Sequence, residues 1–172
     1  FMADFDLVVL GGGSGGYAAS LRAAQLGLTV ALIEKDKLGG TCLHRGCIPT
    51  KALLHAGEIA ASARHAGDFG VKAEFHSMDM LAVNAYKDGV ITKLHKGLQG
   101  LVKSRNITYV EGQGKLVSKN TVEVNGQKYV GKNIILATGS YPKTLPGLAI
   151  DGKTDRKSTR LNSSHIPLSR MP

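Results

Sequence analysis

The feature that most constrains the fold is a glycine pattern between an apolar run and a helical segment. The apolar run covers residues 8–10 and enters Gly11-x-Gly13-x-x-Gly16, after which a helical pattern continues to Gly27. In such a unit the first glycine permits a tight turn, the second lets the backbone approach a phosphate, and the third lets the helix pack on the strand. The spacing therefore predicts a strand–turn–helix unit whose helix N-terminus faces an anion.

A second apolar run, residues 29–33, ends at Glu34. This is about twenty residues beyond the glycines, where a carboxylate is expected to meet the ribose hydroxyls of a dinucleotide. A strand, a helix, a second strand and a terminal acid follow one another at the expected spacing. This order favours a dinucleotide-binding unit over a flexible glycine-rich loop. The pattern alone does not distinguish FAD from NAD.

The only two cysteines, Cys42 and Cys47, follow the second strand. A structural disulfide, a metal site and a redox pair are the three interpretations. No secretory signal precedes the first strand, so we expect a reducing, cytoplasmic compartment, which disfavours a structural disulfide. Zinc bound with His44 and His55 is disfavoured because no second cysteine pair follows.

The spacing of the cysteines requires a distorted turn. In a regular helix, residues five apart have Cα atoms roughly 8–9 Å apart, beyond the ~7 Å limit for a disulfide. Gly39, Gly40 and Gly46 supply the backbone freedom to close the bond. Arg45 and a helix N-terminus are expected to lower a thiol pKa, although Arg45 is equally readable as a solvated charge.

Further along, the apolar spacing predicts a helix over residues 79–103. Residues 121–124 and 128–130 flank Asn125-Gly126 and predict a hairpin, and residues 133–136 predict a strand. His95 fits no site pattern and is interpreted as filler. These elements predict an α/β fold with a parallel sheet plus a small β-meander.

Residues 39–51, the glycine fingerprint and Ala137-Thr138-Gly139 together resemble the FAD-dependent pyridine nucleotide–disulfide oxidoreductases. The resemblance implies a Rossmann-like FAD-binding domain over residues 3–150. The cofactor-binding residues that it implies are Gly11, Gly13, Ser14, Gly15, Gly16, Glu34, Lys35, Gly40, Thr41, Cys42, Lys51, Gly114, Ala137, Thr138 and Gly139. Gly114, placed against the adenine half of FAD by the resemblance, is equally readable as a turn glycine.

The resemblance also implies catalytic roles. Cys42 would exchange disulfides with a dihydrolipoyl substrate, Cys47 would form the thiolate over the flavin, and Lys51 would lie near the reactive edge of the flavin ring. Many relatives carry asparagine at the position of His44, which we interpret as a tolerated surface variant. The chemistry implied is oxidation of protein-bound dihydrolipoamide with NAD as acceptor.

Other functions remain open at this stage. Within the family the alternatives are a mercuric, glutathione or related disulfide reductase, and outside catalysis the chain would be a flavin-binding module without turnover. The implied partners are the lipoyl domain of a 2-oxoacid dehydrogenase complex and a second copy in a homodimer. Members of the family are longer, so we expect an N-terminal fragment with an incomplete sheet and an unpaired edge.

The last part of the chain has a different character. Residues 155–165 lack apolar periodicity and resemble a reading frame of a sequencing adapter, so we expect residues 155–172 to be a non-native tail. The tail carries +3 of the net charge of +9, and the remaining +6 is spread along the chain without a groove-reading motif, which argues against nucleic acid as a partner. No apolar run is long enough for a bilayer, so no membrane partner is expected either.

Overall fold

The computed structural model describes residues 2–140. The domain boundary expected at residue 150 and the tail expected at residues 155–172 lie outside the described part of the chain. A short 3₁₀ turn, Ala66–Phe69, follows the third helix. The other elements are β1 (Met2–Leu10), α1 (Ser14–Gln25), β2 (Val30–Glu34), α2 (Gly40–Arg45), α3 (Cys47–Arg64), α4 (Met80–Ser104), β3 (Thr108–Glu111), β4 (Lys115–Ser118), β5 (Thr121–Val124) and β6 (Gln127–Leu136).

One six-stranded sheet organises these elements in the order β3-β2-β1-β6-β5-β4. Strands β3, β2, β1 and β6 run parallel, whereas β6, β5 and β4 pair antiparallel as a meander. The predicted parallel sheet with a small meander is confirmed. Because β1 lies between β2 and β6, its carboxyl end opens at the centre of the sheet, where ligands bind in open α/β folds.

Both faces of the sheet are covered, as the apolar runs of its central strands require. Leu7 and Val9 of β1 point into a core shared with α1 and α4, where Leu98 and Val102 are buried. Val8 points to the opposite face, into a second core with residues of β2, β5 and β6. The alternation along β1 therefore places one core under the helices and another beside the meander.

Strand β6 is longer than the sequence suggested. It joins the two predicted strands into Gln127–Leu136 and pairs with β1 along almost its whole length. Its other side pairs with β5 only over residues 127–130. No described strand covers the outer edge of residues 132–136, where Leu136 is 60% exposed. This is the unpaired edge expected from the sequence.

Candidate functional site

The glycine loop is held by contacts that only glycine permits. Gly11 has a φ of +108°, and a Cβ there would overlap the carbonyl oxygen of Ala137. A Cβ on Gly16 would overlap the carbonyl oxygen of Gly11. A side chain at Gly13 would meet only the Cα of Gly40, at 3.9 Å. Gly11 and Gly16 are thus required by packing, whereas Gly13 keeps the loop surface open.

The N-terminus of α1 is free to receive an anion. Its N-cap, Gly13, offers no side-chain hydrogen bond, and the first turn carries no acidic residue. Ser14 and Gly15 at this terminus are exposed. The first-turn N–H groups therefore carry the partial positive charge of the helix towards open space, which is the arrangement that binds phosphate.

Glu34 ends β2 beside this loop. One carboxylate oxygen, Oε2, accepts the Gly12 N–H at 2.6 Å, and Oε1 accepts the Asp36 N–H at 2.9 Å. Lys35 lies next in the chain and is exposed. Each carboxylate oxygen retains capacity for a second hydrogen bond. Glu34 thus fixes the glycine loop and stays available to ligand hydroxyls.

A second pair of glycines brings the cysteine segment onto the loop. The Gly39 N–H donates to the Gly12 carbonyl at 2.8 Å. Gly40 has a φ of +60°, and a Cβ there would lie 2.7 Å from the Cα of Gly13. Two backbones therefore cross in direct contact, and the residues after Gly40, beginning with Thr41, reach the start of α1.

The two cysteines lie on different helices. Cys42 is in α2, which ends at Arg45, and Cys47 begins α3. Between them Gly46 has a φ of −135° and a ψ of −107°, outside the helical region. The distortion that the spacing required is confirmed at Gly46. Both cysteines are thiols in this structure, with Cys42 half-buried and Cys47 exposed.

The thiol pair lies beside the glycine loop. The Cys42 thiol is close enough to the side chains of Cys47 and Ser14 for both to influence its pKa. The Cys47 hydrogen bond, followed by burial, raises the pKa of the Cys42 thiol, and the Ser14 hydrogen bond opposes this only partly. A lowered thiol pKa is therefore not found at Cys42. Arg45 instead pairs with Asp36 at 2.6 Å on the surface, which favours the solvated-charge interpretation.

Lys51 lies one turn beyond Cys47 on α3 and is exposed. Residues four apart share a helix face, so Lys51 and Cys47 lie on the same side of α3. The structure places this predicted lysine beside the thiol pair, while its role towards a flavin stays a prediction.

The later motifs reach the same end of the sheet. The Ala137 N–H donates to the Leu10 carbonyl at 2.8 Å, and Thr138 and Gly139 follow in exposed positions. Gly114, after β3, has no room for a side chain, because a Cβ would lie 2.5 Å from Leu10 Cδ1. Packing thus accounts for glycine at position 114, whereas its contact with a cofactor stays a prediction.

His44 and His95 were not expected to meet. His44 is half-buried, its Nε2 lies 2.9 Å from the Leu38 carbonyl oxygen, and its ring meets that of His95 edge to face. His44 is therefore not a surface variant, whereas the position of His95 remains compatible with a packing role. No local signal reveals the pair, because α2 and α4 are far apart in sequence.

A separate cavity of about 500 Å³ lies between α3, the segment before α4, and α4. Ile59, Phe75, Met78 and Val83 contribute to its largely apolar lining. Neither cysteine nor the glycine loop borders it. Among residues 2–140, no three potential metal-ligating side chains cluster, and no helix is long and apolar enough to cross a membrane.

Comparisons with known proteins agree with this geometry. Residues 5–167 match the model of the pyridine nucleotide-disulphide oxidoreductase family. A dihydrolipoyl dehydrogenase of Bacillus subtilis is 44% identical over 164 residues, covering 88% of this chain and 35% of the relative. The mitochondrial dihydrolipoyl dehydrogenase 1 of Arabidopsis thaliana is 46% identical over 170 residues, covering 94% and 34%.

A leghemoglobin reductase of Glycine max is 47% identical over 170 residues, covering 94% of this chain and 32% of the relative. The chain thus spans about a third of the length of the curated relatives it matches. The family model covers most of the chain and includes both the glycine loop and the cysteine pair. The chain therefore belongs to the pyridine nucleotide-disulphide oxidoreductase family.

Proposed function

We propose that the protein carrying this chain oxidises protein-bound dihydrolipoamide through Cys42 and Cys47, with FAD as its flavin and NAD as the final acceptor. The observation that carries the proposal is the proximity of the Cys42 thiol both to Cys47 and to Ser14 at the start of α1. A disulfide-forming pair thus adjoins the open helix N-terminus of a glycine loop. Similarity to dihydrolipoyl dehydrogenases supports this substrate.

The residues at this end of the sheet fit FAD. Gly13 and Gly15 leave open the space that side chains would fill, and the α1 N-terminus is uncapped. These two features suit a pyrophosphate, and the Glu34 carboxylate suits ribose hydroxyls. We propose that Thr41, Lys51 and the segment 137–139 line the remainder of the flavin site.

The thiol chemistry follows from the cysteine pair. A dihydrolipoyl thiolate attacks the Cys42 sulfur of the Cys42–Cys47 disulfide, and Cys47 leaves as a thiolate. The second substrate thiolate then displaces Cys42, so that the products are the lipoyl disulfide, a Cys42 thiol and a Cys47 thiolate, with one proton released. FAD, when bound, would accept the two electrons of the reduced pair and pass them to NAD.

The electrostatics of the pair support this division of roles. Hydrogen bonding to Cys47 and burial raise the pKa of the Cys42 thiol. This direction favours retention of the proton on Cys42 in the reduced pair. Cys47 also begins α3, where the helix N-terminus favours negative charge.

Partners and location belong to the same proposal. The substrate would be presented by the lipoyl domain of a 2-oxoacid dehydrogenase complex, and the whole protein would be a cytoplasmic homodimer. The 172-residue chain alone spans about a third of its relatives. For the chain by itself we propose FAD binding without turnover. FAD retained after gel filtration, without NADH production, is the expected result.

The test is NADH production from dihydrolipoamide and NAD by the FAD-loaded whole protein. Cys42→Ser and Cys47→Ser are each expected to lower kcat at least ~10³-fold while the flavin remains bound. Ser62→Ala, on the exposed side of α3, is the matched control and keeps full activity. Faster turnover of oxidised glutathione or mercuric ion would assign a related reductase instead, and an active Cys47→Ser protein would refute the disulfide mechanism.

A further inference from the structure

One peptide group links the cysteine helix to the glycine loop. The Leu38 carbonyl oxygen lies 2.9 Å from His44 Nε2, and the Gly39 N–H of the same peptide donates to the Gly12 carbonyl at 2.8 Å. His44 lies in α2, two residues after Cys42. A continuous hydrogen-bonded path therefore runs from the helix that carries Cys42 to the loop proposed to hold the pyrophosphate.

The chemistry of this path fixes the tautomer of His44. A carbonyl oxygen only accepts hydrogen bonds, so His44 Nε2 carries the proton. A donor on one side of a peptide group and an acceptor on the other polarise that group and strengthen both bonds. The imidazole therefore acts as a hydrogen-bond donor.

A second contact holds the same ring from the other side. The rings of His44 and His95 meet at 77° with centroids 4.9 Å apart, and His95 belongs to α4. Burial, followed by the charges of His44 and Lys37, lowers the pKa of His95. His95 is therefore neutral at neutral pH, and α4 supports the His44 ring with an uncharged imidazole.

Helix α2 depends on such contacts. It has only six residues, lacks a side-chain N-cap and is separated from α3 by the non-helical Gly46. Helices this short are not stable by themselves. The position of α2 relative to Cys47 is therefore set by tertiary contacts. On its interior side these are the packing of buried Leu43 and the hydrogen bond of His44.

We propose that His44 is a positioning residue that holds Cys42 at bonding distance from Cys47 through the Leu38–Gly39 peptide. Fixing α2 raises the effective concentration of one sulfur at the other and so favours the disulfide over the dithiol. The inference deepens the proposed function, since it concerns the same cysteine pair. Under this proposal His44, which lies between the two cysteines in the sequence, controls their redox equilibrium.

The test compares two side chains of similar shape. His44→Met removes the N–H donor. His44→Gln keeps one, because its side-chain amide can extend to the position of Nε2 and donate to the Leu38 carbonyl oxygen. FAD-loaded whole protein is equilibrated in glutathione redox buffers without oxygen, alkylated, and assayed for the oxidised fraction of the peptide with Cys42 and Cys47. His44→Met is expected to shift the equilibrium about tenfold towards the dithiol, the factor that one hydrogen bond supplies. His44→Gln is expected to stay within about threefold of wild type.

The matched control is His76→Met, because the His76 side chain is 83% exposed and remote from the cysteines. It is expected to leave the equilibrium unchanged. Equal shifts in His44→Met and His44→Gln, or a shift below twofold in His44→Met, would overturn the positioning role alone. Wild-type protein that never forms the disulfide in the oxidised buffer would instead overturn the proposed function. If His44→Met does not fold, His44→Phe supplies the donor-free comparison.

Discussion

Two neighbouring glycines at the start of α1 are expected to respond oppositely to the same substitution. A Cβ at Gly15 meets nothing within 4 Å, whereas a Cβ at Gly16 would overlap the Gly11 carbonyl oxygen. Gly15→Ala therefore gains helix propensity and raises the free energy of unfolding by about 0.5–1 kcal/mol. Gly16→Ala forces α1 away from β1 by a distance on the order of 1 Å and is expected to cost at least about 3 kcal/mol.

Urea unfolding of both variants, followed by far-UV circular dichroism, measures the two effects. The expected difference of about 4 kcal/mol is a large fraction of the 5–15 kcal/mol that stabilises a typical domain. Gly15→Ala also tests the site, because a methyl group at this open position would weaken FAD binding without weakening the fold. Free energies of unfolding for the two variants within about 1 kcal/mol of each other would refute the packing argument.

Three further predictions concern other parts of the structure. Glu34→Gln has only one acceptor oxygen for the Gly12 and Asp36 N–H groups, so one of these bonds is lost and the other loses its charge. The free energy of unfolding in urea should fall by about 1–2 kcal/mol, and a loss below about 0.5 kcal/mol would contradict this. Because the pKa of His95 is lowered below its ordinary 6.5, the unfolded chain takes up this proton first, and stability falls as the pH drops below about 6.5. His95→Phe should therefore reduce the loss of Tm between pH 7.5 and 5.5, and an unchanged loss would exclude His95 as its source. Leu136→Lys adds a charge to the open edge of β6 and should lower light scattering by the 172-residue chain on heating, with equal scattering as the contrary result.

The sequence predicts the fold where a local residue pattern is also required by tertiary packing. The glycine fingerprint and the apolar runs of β1 and β2 specify a strand–turn–helix unit and two buried strands, and all are found. Gly46 is likewise predictable, because two cysteines five residues apart cannot bond within one regular helix. In each case a covalent or steric limit acts on residues close together in the chain.

Other features depend on contacts that the sequence does not display. Strand β4, Lys115–Ser118, is exposed along its whole length, and its adjacent apolar residues Leu116 and Val117 do not alternate with polar ones. The contact of His44 with His95 depends on how α4 crosses α2, which periodicity does not encode. The direction of the Cys42 pKa shift depends on burial and on the Cys47 hydrogen bond, whereas Arg45, the expected influence, pairs with Asp36.

The position of β1 between β2 and β6 has a consequence during protein synthesis. Asp6 of β1 bonds Lys132 of β6, a residue 126 positions later. At about 5–20 residues per second, a ribosome needs roughly 6–25 s to make that intervening length. Throughout this interval the Gly11 turn lacks its Ala137 neighbour and one side of β1 has no partner. The emerging chain therefore exposes one side of its central strand until translation is nearly past β6, and this interval is when it most needs a chaperone.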